Sequence, residues 1–138
     1  MSIVQTQTTS FKAELYQGIH DLTTDVIKIA LFTANANLNA DTTAYSLTNE
    51  ASGGSYSAGG STLTGITVNS SGYTAYVGFL NVSWTGTITA RCALIYNSSK
   101  ANRSIAVLDF GSDKTSTGTF LITMPENTVT TALIRSSI

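Results

Sequence analysis

Charge is what this chain has least of. Asp, Glu, Lys and Arg supply 11% of its 138 residues, less than half the ~25% usual in globular domains. Seven cations against eight anions leave a net charge of −1 and a pI of about 5.6. Nucleic-acid affinity comes largely from neutralising phosphates with Lys and Arg, so this balance speaks against a nucleic-acid partner. There is one cysteine, Cys92, and a single thiol cannot staple its own chain. There is one proline, Pro125, and one histidine, His20. No apolar run approaches the ~20 residues that span a bilayer. The opening "MSIVQTQTTSFK" lacks the basic start and apolar core of a signal peptide. The expectation is a soluble protein made in the cytoplasm, with no membrane partner.

Hydroxyls, amides and glycines stand where charges usually do. Threonine alone accounts for 23 of the 138 residues. Threonine favours strands, whereas Gly, Asn and Ser favour turns. The length suits one domain, large enough to bury a core without metal or disulfide. Residues 1–9 read as an extended N-terminal arm and 10–138 as a single domain. In that domain Phe11, Leu15, Ile19 and Leu22 fall near helical spacing. Ser10 as cap and Gly18 as stop predict a short amphipathic helix over 10–18. It is too short to stand alone and must lie on something apolar.

Beyond it the pattern becomes that of strands: 26–32, 62–68, 73–84, 87–96, 104–110, 119–124 and 130–137, separated by turn residues. This spacing predicts an all-β fold, a β-sandwich or jelly-roll-like barrel of about 7–9 strands with a short N-terminal helix. Residues 33–61 are long and polar, too long for a bare loop in a compact domain, so a short helix or strand is expected around 44–51. The Gly pairs at 53–54 and 59–60 predict an exposed, sharply turning tip.

"RCALIYNSSKANRSIAVLDFGSDK", 91–114, holds four of the seven cations. Alternation puts Ile88, Ala90, Cys92, Leu94 and Tyr96 on one strand face, and Ile105 and Val107 on one face of the next. "NSSKANR" joins the two as a β-hairpin with Lys100 and Arg103 at its tip, where they are solvated or reach a partner. Asp109, Asp113 and Lys114 are expected to mark the following turn.

No catalytic grouping emerges. His20 with adjacent Asp21 could form a base, but neighbours in a helix-to-strand turn seldom face one site. Cys92, among Ala, Leu and Ile, reads as a buried inert thiol. The carboxylates Glu14, Asp41, Glu50, Asp109 and Glu126 have no spacing that pairs any two for glycoside hydrolysis. "DFGSD" lacks the remaining ligands of a calcium loop. "AGGSTLTG" has no lysine and no strand–helix frame for a phosphate cradle. No enzyme, cofactor or metal is expected. Tyr45 and Tyr56, flanking the polar loop, are candidates for interface contacts, and Trp84 or Tyr56 for a glycan-stacking platform.

Three blocks carry a resemblance: "FKAELYQGIHDLTTDVIKIALFTANANLNADTTAYS" with "TNEASG", then "YSAGGSTLTG", then "ITARCALIYNSSKANRSIAVLDFGSDKTSTGTFLI". In that order they resemble small structural proteins of tailed bacteriophages, over most of the chain from Phe11 to Ile122. The resemblance implies a non-enzymatic virion component and supplies no catalytic or ligand residues. A capsid decoration or cement protein is the leading expectation, with the major capsid protein or other virion proteins as partners and self-association as a further option. A tail, head–tail connector or fibre-attachment component and a carbohydrate-binding sandwich are the alternatives. The expected contacts are Ile3 and Val4, on an arm that could add a strand to a neighbour's sheet, with Tyr45, Tyr56, Lys100 and Arg103.

Overall fold

The computed structural model describes residues 2–137. Its elements run β1 (Thr6–Gln7), α1 (Thr9–Tyr16), β2 (Ile27–Phe32), β3 (Ser61–Thr62), β4 (Thr67–Ser71) and β5 (Thr74–Gly78). There follow β6 (Val82–Thr85), β7 (Ile88–Asn97), β8 (Arg103–Ser116), β9 (Thr119–Ile122) and β10 (Ile134–Ser136). The strands form three antiparallel sheets: β1-β8-β7-β2-β3, β10-β5-β4 and β6-β9. The fold is all-β and sandwich-like, as the turn spacing implies. The strand number exceeds the expected 7–9 for two reasons. The apolar run 73–84 is broken between Gly78 and Val82, so β5 and β6 enter different sheets. The two-residue strands β1 and β3 are too short to show a period in sequence.

The central strand β7 is buried at nearly every position, because both faces of the five-stranded sheet are covered. On one face Ile27, Ile29, Ile95, Ile105 and Leu108 join Val77 of β5, Trp84 of β6, Phe120 and Ile122 of β9 and Ile134 of β10 in the main core. On the other, Ala30, Phe32, Leu94, Tyr96 and Val107 are roofed by Ala36, Leu38 and Tyr45, with Ile3 at the margin. The long polar segment is therefore a cover. Over 44–51 it has single bridges, Phe32 with Glu50 and Ala44 with Arg103, in place of the expected helix or strand.

Two bulges decide which residues face which core. Register between β7 and β8 shifts between Ala90 and Cys92 and again between Ile95 and Tyr96. The first shift puts Ile88 and Ala90 in the main core with Ala93 and Ile95, not with Cys92, Leu94 and Tyr96 as strict alternation predicts. The second leaves Ile105 unmatched and turns it toward the main core beside Ala106, away from Val107. An extra residue on one strand reverses the parity of everything beyond it. The turn expected at 109–114 is a bulge within β8: the strand runs on to Ser116, but 110–113 have no partner on β7 and Gly111 has φ +84°.

The helix starts earlier than Ser10. Thr8 is the cap, accepting from the Phe11 amide at 3.3 Å through its hydroxyl oxygen. Ser10 instead bonds toward Ser104 and the Thr42 carbonyl. Gly18 follows the last turn with φ +71°, as a left-handed stop requires. Only Phe11 is buried on this helix; Leu15 is 40% exposed. The arm before it is not free. Val4 N–H donates to Leu38 C=O, Leu38 N–H to Ser2 C=O, and β1 pairs with Val107 and Ala106 of β8. The arm expected to reach a neighbour's sheet lies along its own chain, Ile3 and Val4 beside Leu38 of the covering segment and Thr6 and Gln7 at the edge of β8.

Candidate functional site

Two polar clusters and two surface depressions are the places where chemistry could gather. The first cluster lies where α1, the turn after it and the β7–β8 hairpin meet. His20 has a side chain of 0% accessibility. Its Nδ1 lies 3.0 Å from Asn97 Nδ2, and its Nε2 2.8 Å from Glu14 Oε1. An amide nitrogen only donates, so Nδ1 is the acceptor and Nε2–H donates to Glu14. Asn97 also donates to Asp25 Oδ2 at 2.8 Å, and its own oxygen accepts from the Ser99 amide.

Lys100 and Arg103 close the cluster. Lys100 Nζ reaches Asp25 Oδ1 at 3.0 Å, and Arg103 Nη1 reaches Glu14 Oε2 at 3.2 Å. At Asp25 burial pushes the carboxyl pKa up. Bonds from Asn97, the Asp21 amide and Lys100 outweigh that and hold it at about 2. The two cations expected to reach a partner are thus tied to carboxylates of their own chain. His20 is paired with Glu14, not with Asp21, whose carboxylate accepts from the Thr23 amide and hydroxyl.

The second cluster centres on Glu50. Its Oε1 accepts from Tyr45 at 2.7 Å, and its Oε2 from Tyr56 at 2.5 Å and from the Gly59 amide at 2.8 Å. Tyr96 stacks on Tyr45, with ring centroids 4.6 Å apart, and donates to the Gly59 carbonyl at 2.6 Å. The Tyr56 hydroxyl also accepts from the Leu31 amide at 2.8 Å. Burial first, and then the neighbouring Glu50 carboxylate, push the pKa of Tyr45, Tyr56 and Tyr96 upward.

This second cluster fastens the Gly-rich segment to the body. Beside it, Ala51 N–H donates to Leu31 C=O and Leu63 N–H to Ile27 C=O, so the outer edge of β2 is closed by a loop and a phenol where no full strand lies. At Gly60, with φ +79°, an added Cβ would stand 1.8 Å from the Ile29 carbonyl oxygen. The expected turning tip is exposed over 52–55 and 57–58, while Tyr56, Gly59 and Gly60 seat it against the body as a strap. Tyr56, expected at an interface, is buried at 8% exposure, and Tyr45 is half-buried. Of the arm residues, Val4 is 49% exposed and Ile3 lies against the second core.

Cys92 is buried, and its thiol is pushed up to about 11, chiefly by burial. Arg91 and Asp109, displaced by the bulge onto the sheet margin, pair at 2.5 Å. Trp84 is 6% exposed and tilts against Tyr56 and Phe120, so neither Trp84 nor Tyr56 offers a platform to a sugar. The large exposed aromatics are Tyr16 on α1 and Tyr73 at the two-residue turn between β4 and β5.

Two depressions remain. An apolar groove of about 510 Å³ runs between β8, β9 and the segment after β9, floored by Leu108, Phe110, Phe120 and Met124. A polar crevice of about 690 Å³ lies between β1, α1 and β10 and includes Lys12 and Arg135. Sequence pattern gave little warning of the Glu50 convergence: Tyr45 and Tyr56 lie five and six residues from Glu50 but at no regular period, and Tyr96 arrives only through tertiary folding. Asn97 carried a weak signal, as an amide ending a long apolar strand just before a turn. No family model, curated protein or solved structure matches the chain.

Proposed function

We propose that this chain is a non-enzymatic structural protein of tailed-bacteriophage virions, a decoration or cement protein docking in many copies on the assembled head. Its partner in this reading is the major capsid protein. The observation that carries it is how the polar side chains are spent. Glu14, Asp25 and Glu50 are each held by donors of their own chain, and His20 is sealed between Glu14 and Asn97. A general acid or base must reach the substrate atom it serves; these groups reach the fold instead. The resemblance of the blocks from Phe11 to Ile122 to phage structural proteins supplies the setting. An array of copies on a repeating shell turns modest individual contacts into firm attachment.

Quantitative mass spectrometry of purified particles tests this. A copy number tracking that of the major capsid protein supports decoration. A small number set by tail or portal symmetry moves the protein to the tail or connector. Absence from particles overturns the virion reading.

A further inference from the structure

We propose that the crevice between β1 and β10 is a docking slot for an extended, acidic segment of a partner protein. The proposal rests on the virion reading for the partner's identity, and on the local geometry for its chemistry. β1 is the outermost strand of the five-stranded sheet and β10 the outermost strand of the three-stranded sheet. The crevice runs along both, so two sheet edges face one space.

Side chains occupy the position a strand would take between them. Gln7 Nε2 donates to the Arg135 carbonyl at 3.0 Å across the gap, and the Thr6 hydroxyl donates to the Gln7 carbonyl at 2.8 Å. These are substitutes for ladder bonds, and the N–H groups of an incoming strand can replace them. Exposed edges of this kind are usually blunted or covered.

Charge selects the occupant. Lys12 stands on the α1 wall and Arg135 on β10, both exposed, and no acidic residue lines the crevice. Among the described residues neither cation forms an ion pair, whereas Arg91, Lys100 and Arg103 all do. Arg135 donates to the Thr130 carbonyl, which steadies its side chain. Leu15 and Tyr16, 40% and 92% exposed, form the apolar lip. Backbone pairing below, carboxylates to two cations, and apolar cover from the lip together describe an acidic strand. The chain's own arm, "MSIVQTQTT", carries no acid and does not match.

The test uses the full chain in two arms. In the first, particles lacking the protein are re-decorated with wild type, with Lys12→Glu/Arg135→Glu, and with the neutral pair Lys12→Gln/Arg135→Gln. Loss of attachment by about tenfold or more for the reversed pair, less for the neutral pair, with unchanged melting, is expected. Attachment of the reversed pair equal to wild type overturns the slot while leaving the virion reading standing.

In the second arm a capped Glu-Val-Asp-Val-Glu-Val-Asp-Val peptide and its Gln/Asn counterpart are titrated by two-dimensional NMR, independently of any particle. Expected are shifts confined to residues 6–16 and 134–137, stronger for the acidic peptide and weakened by salt. Equal binding of the two peptides, shifts elsewhere or no shifts overturn the proposal. So does sedimentation showing a dimer that protects this crevice, because a second copy would then be its occupant. Failure of wild type to attach to particles, with the peptide result intact, overturns the virion reading alone.

Discussion

Replacing Glu50 by Gln tests whether one carboxylate fastens the strap to the sheet. In wild type it accepts from Tyr45, Tyr56 and the Gly59 amide. Gln retains one carbonyl oxygen: aimed at Tyr56 and Gly59 it leaves an NH2 group facing the Tyr45 hydroxyl, which must then donate elsewhere, and aimed at Tyr45 it strands the Gly59 N–H. Tyr56 and Gly59 are buried, and an unsatisfied buried donor costs about 1–3 kcal/mol. Tyr45, half-buried, can turn toward water for less. Losing the charge-assisted character of the remaining bonds brings the expected total to about 3 kcal/mol. For a domain of this size that lowers Tm by roughly 10 °C.

The assay is urea unfolding followed by Trp84 fluorescence, whose ring lies 5.4 Å from Tyr56 and reports the strap directly. A cycle with Tyr56→Phe should return a coupling of about 1–2 kcal/mol, because the two side chains share one bond. A loss below about 1 kcal/mol in Glu50→Gln, or a coupling near zero, would show that water replaces the carboxylate freely and that the strap is held by its apolar contacts.

Stability should fall at both the alkaline and the acid extreme and change little in between through these groups. The folded-state pKa of Tyr56 is raised above its ordinary 10, so its contribution is complete below about pH 10 and falls above it by up to about 1.4 kcal/mol per pH unit; stability flat from pH 9 to 11.5 would refute this. Asp25 works in the other direction. Its carboxyl is held at about 2 against an ordinary 3.8, so its contribution is present above about pH 4 and is lost toward pH 2. Asp25→Asn should therefore flatten the acid limb of the stability profile. Thr8→Ala removes the helix cap and should cost about 0.5–2 kcal/mol in chemical denaturation; no change would mean that the Thr8 backbone alone holds the turn. Cys92 should resist an aromatic disulfide reagent in native buffer and react at once in denaturant, whereas fast native labelling would contradict its burial.

Local chemistry made some of this legible. The β7–β8 hairpin could be read because two Ile- and Ala-rich runs flank "NSSKANR", and the helix because Phe11 anchors it and Gly18 stops it, whereas Ile19 and Leu22, spaced as if on it, lie beyond its end. What escaped depends on partners distant in sequence. The bulge at Ile105 reverses side-chain parity with no glycine or proline to announce it, whereas the one opposite Arg91 holds Gly111 at φ +84°. β8 carries Gly111, Ser112 and Asp113 through the first bulge without partners on β7, and pairing resumes where Ala90, Thr89 and Ile88 meet Lys114, Thr115 and Ser116. Residues poor at forming strands mark the break in the ladder there. The Glu50 cluster escaped for another reason: Tyr45 and Tyr56 lie only five and six residues away, but a carboxylate among glycines and serines looks solvated until the segment folds back on itself and Tyr96 joins through Tyr45 and Gly59. Lys100 and Arg103 looked free because their acids, Asp25 and Glu14, lie 75 and 89 residues away.

The turn at Gly72 and Tyr73 has a practical consequence. A Cβ added at Gly72 meets nothing within 4 Å, Tyr73 is 89% exposed, and strand β4 leading into it is exposed along its whole length. A tag or foreign epitope grafted there should leave the rest of the molecule undisturbed. The same graft among the glycines at 53–60, where composition alone would invite it, would prise a fastening from the β2 edge. For anyone wishing to label this protein, the inconspicuous turn is the safe handle.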